Sequence, residues 1–377
     1  MNSYQGRGSS ELKSKNLSSF LNYTCLNFFG TRLQIIEDYR VRISTKFEPR
    51  HTHPNPTMAQ PQALNPPLPT KLIHQFPLPT WIENLAIRSN GQLLVTLLTT
   101  PDLYLIDPTT SPPASILVHK FPNVLALTGI IELGEDIFYV CTGNFNAAAY
   151  KNEQGTYSVW EVDMRKFKGE GDKVDVKKVV DIKSSGLLNG MELLSEEKKG
   201  VLIADSDFGC VWKVDVGSGE HEMAIEVDEM KIPTVGFPMG INGLKLRDGY
   251  LYWTNTGRKQ FCRIKIDSAG RGIGEAEVVA EDCLGDDFIF DKEGNAWITQ
   301  NVLNTIAVVK TGGEMTLVVG KKEDLEVCGG TACQFGRKKG EEHLLYVTTT
   351  GALAEPINGT VMEGGKVVAV DTSKFYS

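Results

Sequence analysis

One strand-like phrase occurs six times in this chain, at a spacing of about 50 residues, and few architectures tolerate that. A Gly or acidic turn leads into a short apolar run that ends in small polar residues: GQLLVT (91–96), EDIFYVCT (135–142), KGVLIAD (199–205), DGYLYWTN (248–255), GNAWIT (294–299) and EHLLYVTT (342–349). A second run follows each: DLYLID (102–107), TYSVWEVD (156–163), GCVWKVDV (209–216), FCRIKID (261–267), TIAVVK (305–310) and GKVVAVD (365–371). Both are β-branched and aromatic segments bounded by Gly, Asp and Asn, which is strand chemistry. No stretch sustains a 3.6-residue apolar period, so helices do not alternate with the strands. The expectation is an all-β chain, a six-bladed β-propeller with four antiparallel strands per blade.

The ends carry the closure of the ring. TKLIHQFP (70–77) matches ASILVHKFP (114–122), the outer strand of the first blade, yet it precedes any complete blade. The last blade has only three strands in its C-terminal stretch. Residues 71–76 are therefore expected to supply its outer strand, leaving no open seam. Residues 164–174 read as a charged loop insertion in the second blade. The domain reading is a disordered or artefactual extension at 1–57, a Pro-rich linker at 58–70 and the propeller at 71–377.

The innermost strands precede the repeated phrases. Aligned on their apolar residues, they are ENLAI (83–87), TGIIE (128–132), NGMEL (189–193), NGLKL (242–246), DDFIF (286–290) and TACQF (331–335). Each begins with a polar residue: Glu83, Thr128, Asn189, Asn242, Asp286 and Thr331. Symmetry places these six around one end of the channel. Two carboxylates, two amides and two hydroxyls suit a hard cation, Ca²⁺ or Mg²⁺. Without a cation, two close carboxylates repel, one pKa rises, and that group becomes a general acid. A merely hydrated rim is the plain alternative, with Asn-Gly as turn chemistry. In a regular strand Asp287 points away from Asp286. Trp81 lies two residues before Glu83 and is either a wall of the site or blade packing.

Composition narrows the partners. Residues 1–57 hold 8 Lys+Arg and 4 Asp+Glu, so the rest holds 39 − 8 = 31 against 47 − 4 = 43, a net of −12. A body so acidic repels a phosphate backbone, and nucleic acid is not an expected partner. The seven cysteines, Cys333 among them, show no metal spacing and read as buried apolar residues in a reducing, cytoplasmic setting. No apolar run reaches the ~18 residues of a membrane span. No organic-cofactor motif is present in context, and a monomer acting on a small molecule is expected.

On INGLKLRDGYLYWTNTG (241–257), GDDFIFDKEGNAWIT (285–299) and TACQFGRKKGEEHLLYVTT (331–349) the chain resembles the regucalcin–gluconolactonase superfamily over residues 71–371. That resemblance implies a divalent cation held by Glu83, Asn242 and Asp286, with Asn189 assisting. The chain departs from the lactonases at Glu83-Asn84-Leu85, where they carry Glu-Gly-Pro, and at Asp286-Asp287, where Asp-Gly is common. WIENLAIRSNGQLLVT and LLNGMELL are more similar to a filamentous-fungal branch, some of whose members are described as hetero-Diels–Alderases.

Three functions follow as expectations. The first is a cyclase of fungal specialised metabolism, with Glu83 or Asp286 as catalytic acids and Asn189, Asn242, Thr128, Thr331 and Trp81 binding substrate. The second is a metal-dependent lactone hydrolase. The third is a non-enzymatic binding platform.

Overall fold

The computed structural model describes residues 61–197 and 199–376. The expected extension at 1–57 lies outside the described residues. The described chain is a six-bladed β-propeller with no α-helix, only three single-turn 3₁₀ segments.

Blade 1 contains strands Ile82–Ile87, Leu93–Leu97, Asp102–Asp107 and Ala114–Lys120 from channel to rim. Blade 2 contains Ala126–Glu132, Ile137–Asn146, Lys151–Asp163 and Asp175–Asp181. Blade 3 contains Leu188–Ser195, Gly200–Asp205, Cys210–Asp215 and His221–Ile225. Blade 4 contains Ile241–Arg247, Tyr250–Asn255, Gln260–Ile266 and Gly272–Ala280. Blade 5 contains Phe288–Phe290, Ala296–Gln300, Thr305–Val309 and Met315–Gly320. Blade 6 contains Gly330–Phe335, Leu344–Thr349 and Lys366–Asp371, and its outer strand is Thr70–Gln75.

The closing strand is antiparallel to Lys366–Asp371. It seats Ile73 and Phe76 among Ile82, Leu85, Tyr346 and Val367 in the core between blades 6 and 1. The sequence match with blade 1 extends to side-chain detail. His74 meets Phe76 edge-on at 4.7 Å, and His119 meets Phe121 edge-on at 4.8 Å. The described part of the Pro-rich segment is laid along blade 5. Gln62–Ala63 pairs parallel to Thr316–Leu317, and Leu68 is buried beside Trp297.

The other cores also lie between blades. Phe121, Phe138 and Met164 fill the gap between blades 1 and 2, and Trp253 and Ile264 that between blades 3 and 4. The aromatic and β-branched faces of the repeat strands thus bury against the next blade, which is what stabilises a ring of sheets. All six cysteines among the described residues are buried and unpaired. No described helix is long and apolar enough to cross a membrane.

Candidate functional site

Five inner strands break register at the same place. The pairing shifts between Ile82 and Asn84, Leu127 and Ile130, Leu188 and Met191, Ile241 and Leu244, and Gly330 and Cys333. A bulge re-aims side chains, so two neighbouring residues no longer alternate strictly between faces. A threonine near the end of the repeated phrase secures the irregularity in blades 1, 4 and 5. Thr254 accepts from Gly243 N–H (3.1 Å) and donates to the Asp286 carbonyl (2.5 Å). Thr96 accepts from Asn84 N–H (3.1 Å) and donates to the Thr128 carbonyl (2.7 Å). Thr299 donates to the Thr331 carbonyl (2.8 Å). Each such hydroxyl ties its own bulge to the next blade.

The glycines of TGIIE, NGMEL and NGLKL serve the same close packing, not turns. A Cβ on Gly129 would sit 2.2 Å from the Asn189 carbonyl oxygen, and one on Gly243 2.3 Å from Asp287 Oδ1.

The sequence-derived residues fall into three groups. Buried Glu83, Trp81 and Asn242 share one polar site at the mouth with half-buried Asp286. The Trp81 indole donates to Glu83 Oε2 at 2.6 Å. The Asn242 amide donates to Asp286 Oδ1 at 2.8 Å and to Thr256 Oγ1 at 3.0 Å. Asn189 is buried in blade 3 and donates to Ser206 Oγ at 3.2 Å. The two threonines do not offer hydroxyls to the channel. Thr128 Oγ1 donates to the Leu188 carbonyl and Thr331 Oγ1 to the Ile82 carbonyl, each at 2.8 Å. They fasten one blade to the next.

A second polar ring was legible in the repeat but escapes an alignment of inner strands alone. Ser206, Thr256 and Asn301 occupy the same place in IADS, WTNT and ITQN, at the turn after each second strand. Ser206 partners Asn189, Thr256 partners Asn242, and Asn301 donates to Asp286 Oδ2 at 2.9 Å.

Asp287 does not point away, as strict alternation predicts. It is buried, accepts from Asn84 of blade 1 at 3.0 Å, and lies 3.4 Å from Lys245 Nζ of blade 4. Lys245 in turn lies 4.0 Å from Glu192 of blade 3. Asp286 N–H donates to the Thr299 carbonyl at 2.8 Å and Thr299 N–H to the Asp287 carbonyl at 3.0 Å, so two successive residues of DDFIF oppose one and both turn inward.

Burial pushes the Glu83 carboxyl well above the usual range, helped by the negative charges of Asp286 and Asp287 and opposed by the Trp81 hydrogen bond. Burial also pushes Asp286 up to about 7, with Asp287 adding to the rise and the amides of Asn301 and Asn242 opposing it. Glu192 rises to about 7 through burial, against the pull of Lys245. Lys245 itself is raised: burial works against its charge, but Asp287 and Glu192 outweigh it. Cys333 is no nucleophile, since burial raises its thiol pKa and its Sγ faces the Trp297 carbonyl at 3.3 Å.

As they stand, Glu83, Asn242 and Asp286 do not form a cation cage. Asn242 turns its N–H, not its oxygen, to Asp286; both Asp286 oxygens accept from amides, and Glu83 accepts from an indole. A hard cation needs those oxygens turned to a common centre. The arrangement is that of two carboxyls whose surroundings favour their neutral forms.

Two clefts of about 500 Å³ lie elsewhere. One is at the seam of blades 6 and 1, lined by Ile73, Tyr346 and Glu341, and one is lined by Leu194, Lys213 and Ser268. Neither contains a residue of the acid pair.

Six blades of four antiparallel strands define a regucalcin-like propeller fold. The luciferin-regenerating enzyme superposes with a TM-score of 0.59 at 15% identity, covering 80% of this chain and 95% of that one. Regucalcin from Agrobacterium tumefaciens superposes with a TM-score of 0.55 at 13% identity, covering 81% and 95%. No protein-family model matches the sequence. Two fungal proteins match along most of their length. A proposed hetero-Diels–Alderase from Phoma sp is 31% identical over 310 residues, 75% of this chain and 87% of that protein. Another from Sarocladium schorii is 29% identical over 345 residues, 82% and 85%. The chain belongs to this fungal hetero-Diels–Alderase family.

Proposed function

We propose that the protein is a small-molecule cyclase of fungal specialised metabolism, closing a ring by hetero-Diels–Alder addition at the mouth of its channel. Family membership supports the reaction class. The observation that carries the site is the acid pair, Glu83 from blade 1 and Asp286 from blade 5, both held toward their neutral forms by burial.

The reaction needs little else from a protein. Addition of a heterodiene to an alkene forms one carbon–oxygen and one carbon–carbon bond and releases nothing. Holding both reactants in register lowers the barrier by up to ~7–11 kcal/mol without a nucleophile. The acid pair serves the preceding step, in which an o-hydroxybenzylic alcohol becomes an o-quinone methide. Glu83 or Asp286 gives its proton to the departing hydroxyl, which leaves as water, and the phenolic proton returns to the carboxylate. Asn189 supplies an N–H donor to the oxygen that gathers charge, while Asn242 spends its N–H bonds holding Asp286 and Thr256. No step runs through a cation. The protein acts as a monomer, in a reducing cytoplasm that suits the unpaired cysteines among the described residues.

The test uses o-hydroxybenzyl alcohol with 2,3-dihydrofuran, followed by chiral chromatography. Faster cycloadduct formation with one enantiomer in excess is expected. Unchanged rate and racemic product end the proposal. Glu83→Gln and Asp286→Asn should each slow the dehydration by roughly 10²-fold or more. A chelator should leave the rate unchanged, and light scattering should give the mass of one chain.

A further inference from the structure

We propose that Asn301 binds substrate, and that the reactant lying against Asp286 brings a hydroxyl hydrogen to the Asn301 side-chain oxygen. This rests on the channel mouth being the small-molecule site.

Asn301 opens a single 3₁₀ turn, Asn301–Leu303, directly after the second strand of blade 5. It is 8% exposed. Its amide nitrogen fixes Asp286 Oδ2, yet the oxygen of the same amide is buried without a partner. The amide oxygens of its neighbours in that turn are paired. Asn304 donates to the Lys322 carbonyl at 2.6 Å and accepts from Gly329 N–H at 2.8 Å. Gln300 Oε1 accepts from Thr305 at 2.8 Å. Within that turn the unpartnered amide oxygen therefore belongs to the residue that touches the acid.

The equivalent positions sharpen the contrast. Thr256 in blade 4 is a hydroxyl, which accepts from Asn242 and donates to the Gly285 carbonyl at 2.8 Å. A hydroxyl can serve both directions by rotating; an amide oxygen only accepts. A buried acceptor left alone is unfavourable and uncommon in folded proteins. A substrate hydroxyl placed beside Asp286 satisfies it. That hydroxyl donates to Asn301 Oδ1 while its own oxygen lies next to the acid that protonates it. An ether or hydrocarbon cannot make the first of these contacts, and sites built around such a bond discriminate strongly against analogues lacking the donor.

Benzyl alcohol and benzyl methyl ether, titrated into the full chain by ligand-observed NMR, isolate the donor. The wild type should prefer the alcohol by about tenfold. Asn301→Leu, similar in size, should erase the preference and leave the affinity for the ether in place, which also reports an intact site. Preference that persists in the variant overturns the proposal, as does a wild type with no preference or no binding. Should the variant not fold, a crystal of the wild type soaked in benzyl alcohol decides. A hydroxyl within hydrogen-bond distance of Asn301 Oδ1 supports the assignment, and any other placement rejects it. Alcohol preference lost in Asn301→Leu, in a protein that fails the cyclisation test, would keep this inference and remove the cyclase. Cyclisation without the preference would do the reverse.

Discussion

Asn84 of blade 1 donates its amide N–H to Asp287 Oδ2 of blade 5 at 3.0 Å, spanning past blade 6. Beside it, Lys245 reaches Asp287 Oδ1 at 3.4 Å and lies near Glu192, so blades 1, 3, 4 and 5 meet in one buried polar cluster. The acid pair sits beside this cluster. The negative charge of Asp287, secured there by Asn84, Lys245 and its own Phe288 N–H (2.7 Å), helps keep Glu83 and Asp286 protonated.

Removing the cation from that cluster should be severe. Lys245→Met leaves Asp287 and Glu192 buried without their counter-ion, and breaking a buried pair in this way costs about 3–5 kcal/mol. Urea unfolding at pH 7 measures it. A loss under about 1 kcal/mol would show the cluster to be solvated. Adding Asp287→Asn and Glu192→Gln to the same variant should recover much of the loss.

Stability should fall with rising pH, and Asp286 should be one cause. An unfolded aspartate titrates near 3.9, whereas Asp286 in the fold is pushed up to about 7. Between those values the native state binds the additional proton. This group's contribution is thus fully present below about pH 4 and lost as pH rises through about 7. Acid-assisted turnover should decline over the same upper limb. Asp286→Asn removes this component, so the variant should lose less stability than the wild type between pH 5 and pH 8. Glu192, raised to about 7 as well, remains in both proteins and cancels in the comparison. Parallel urea midpoints across that interval would refute the assignment.

The threonine ties should prove structural as well as local. Thr254→Val keeps the shape but removes both bonds of the hydroxyl, leaving the Gly243 N–H and the Asp286 carbonyl only their mutual bond at 3.1 Å. Losing those two hydrogen bonds should cost about 1–3 kcal/mol, while Thr254→Ser should restore most of it. Thermal unfolding reads the difference. Equal melting temperatures for the valine and serine variants would mean that the hydroxyl is dispensable.

Much of the fold was open to reading because a propeller repeats. The strand phrases, their order and the closing of the ring by TKLIHQ all depend on local alternation and on likeness between distant segments. The meeting of Glu83, Asn242 and Asp286 followed from symmetry alone. The roles of Thr128 and Thr331 did not, since a hydroxyl facing the channel and one turned to a neighbouring carbonyl share the same position in the repeat. Asn301 was within reach, had the residues after ITQ been aligned with those after IAD and WTN.

The chain's own pattern therefore determined the blades, their number, the closed seam and which end of the channel carries acids and amides. Only the packed structure decided which of those groups hydrogen-bond each other, that Asp287 turns inward beside Asp286, and that Lys245 lies against it. Periodicity is a property of each strand by itself. A bulge exists only where two strands disagree in register, and a buried charge finds its partner only when blades far apart in sequence close around it.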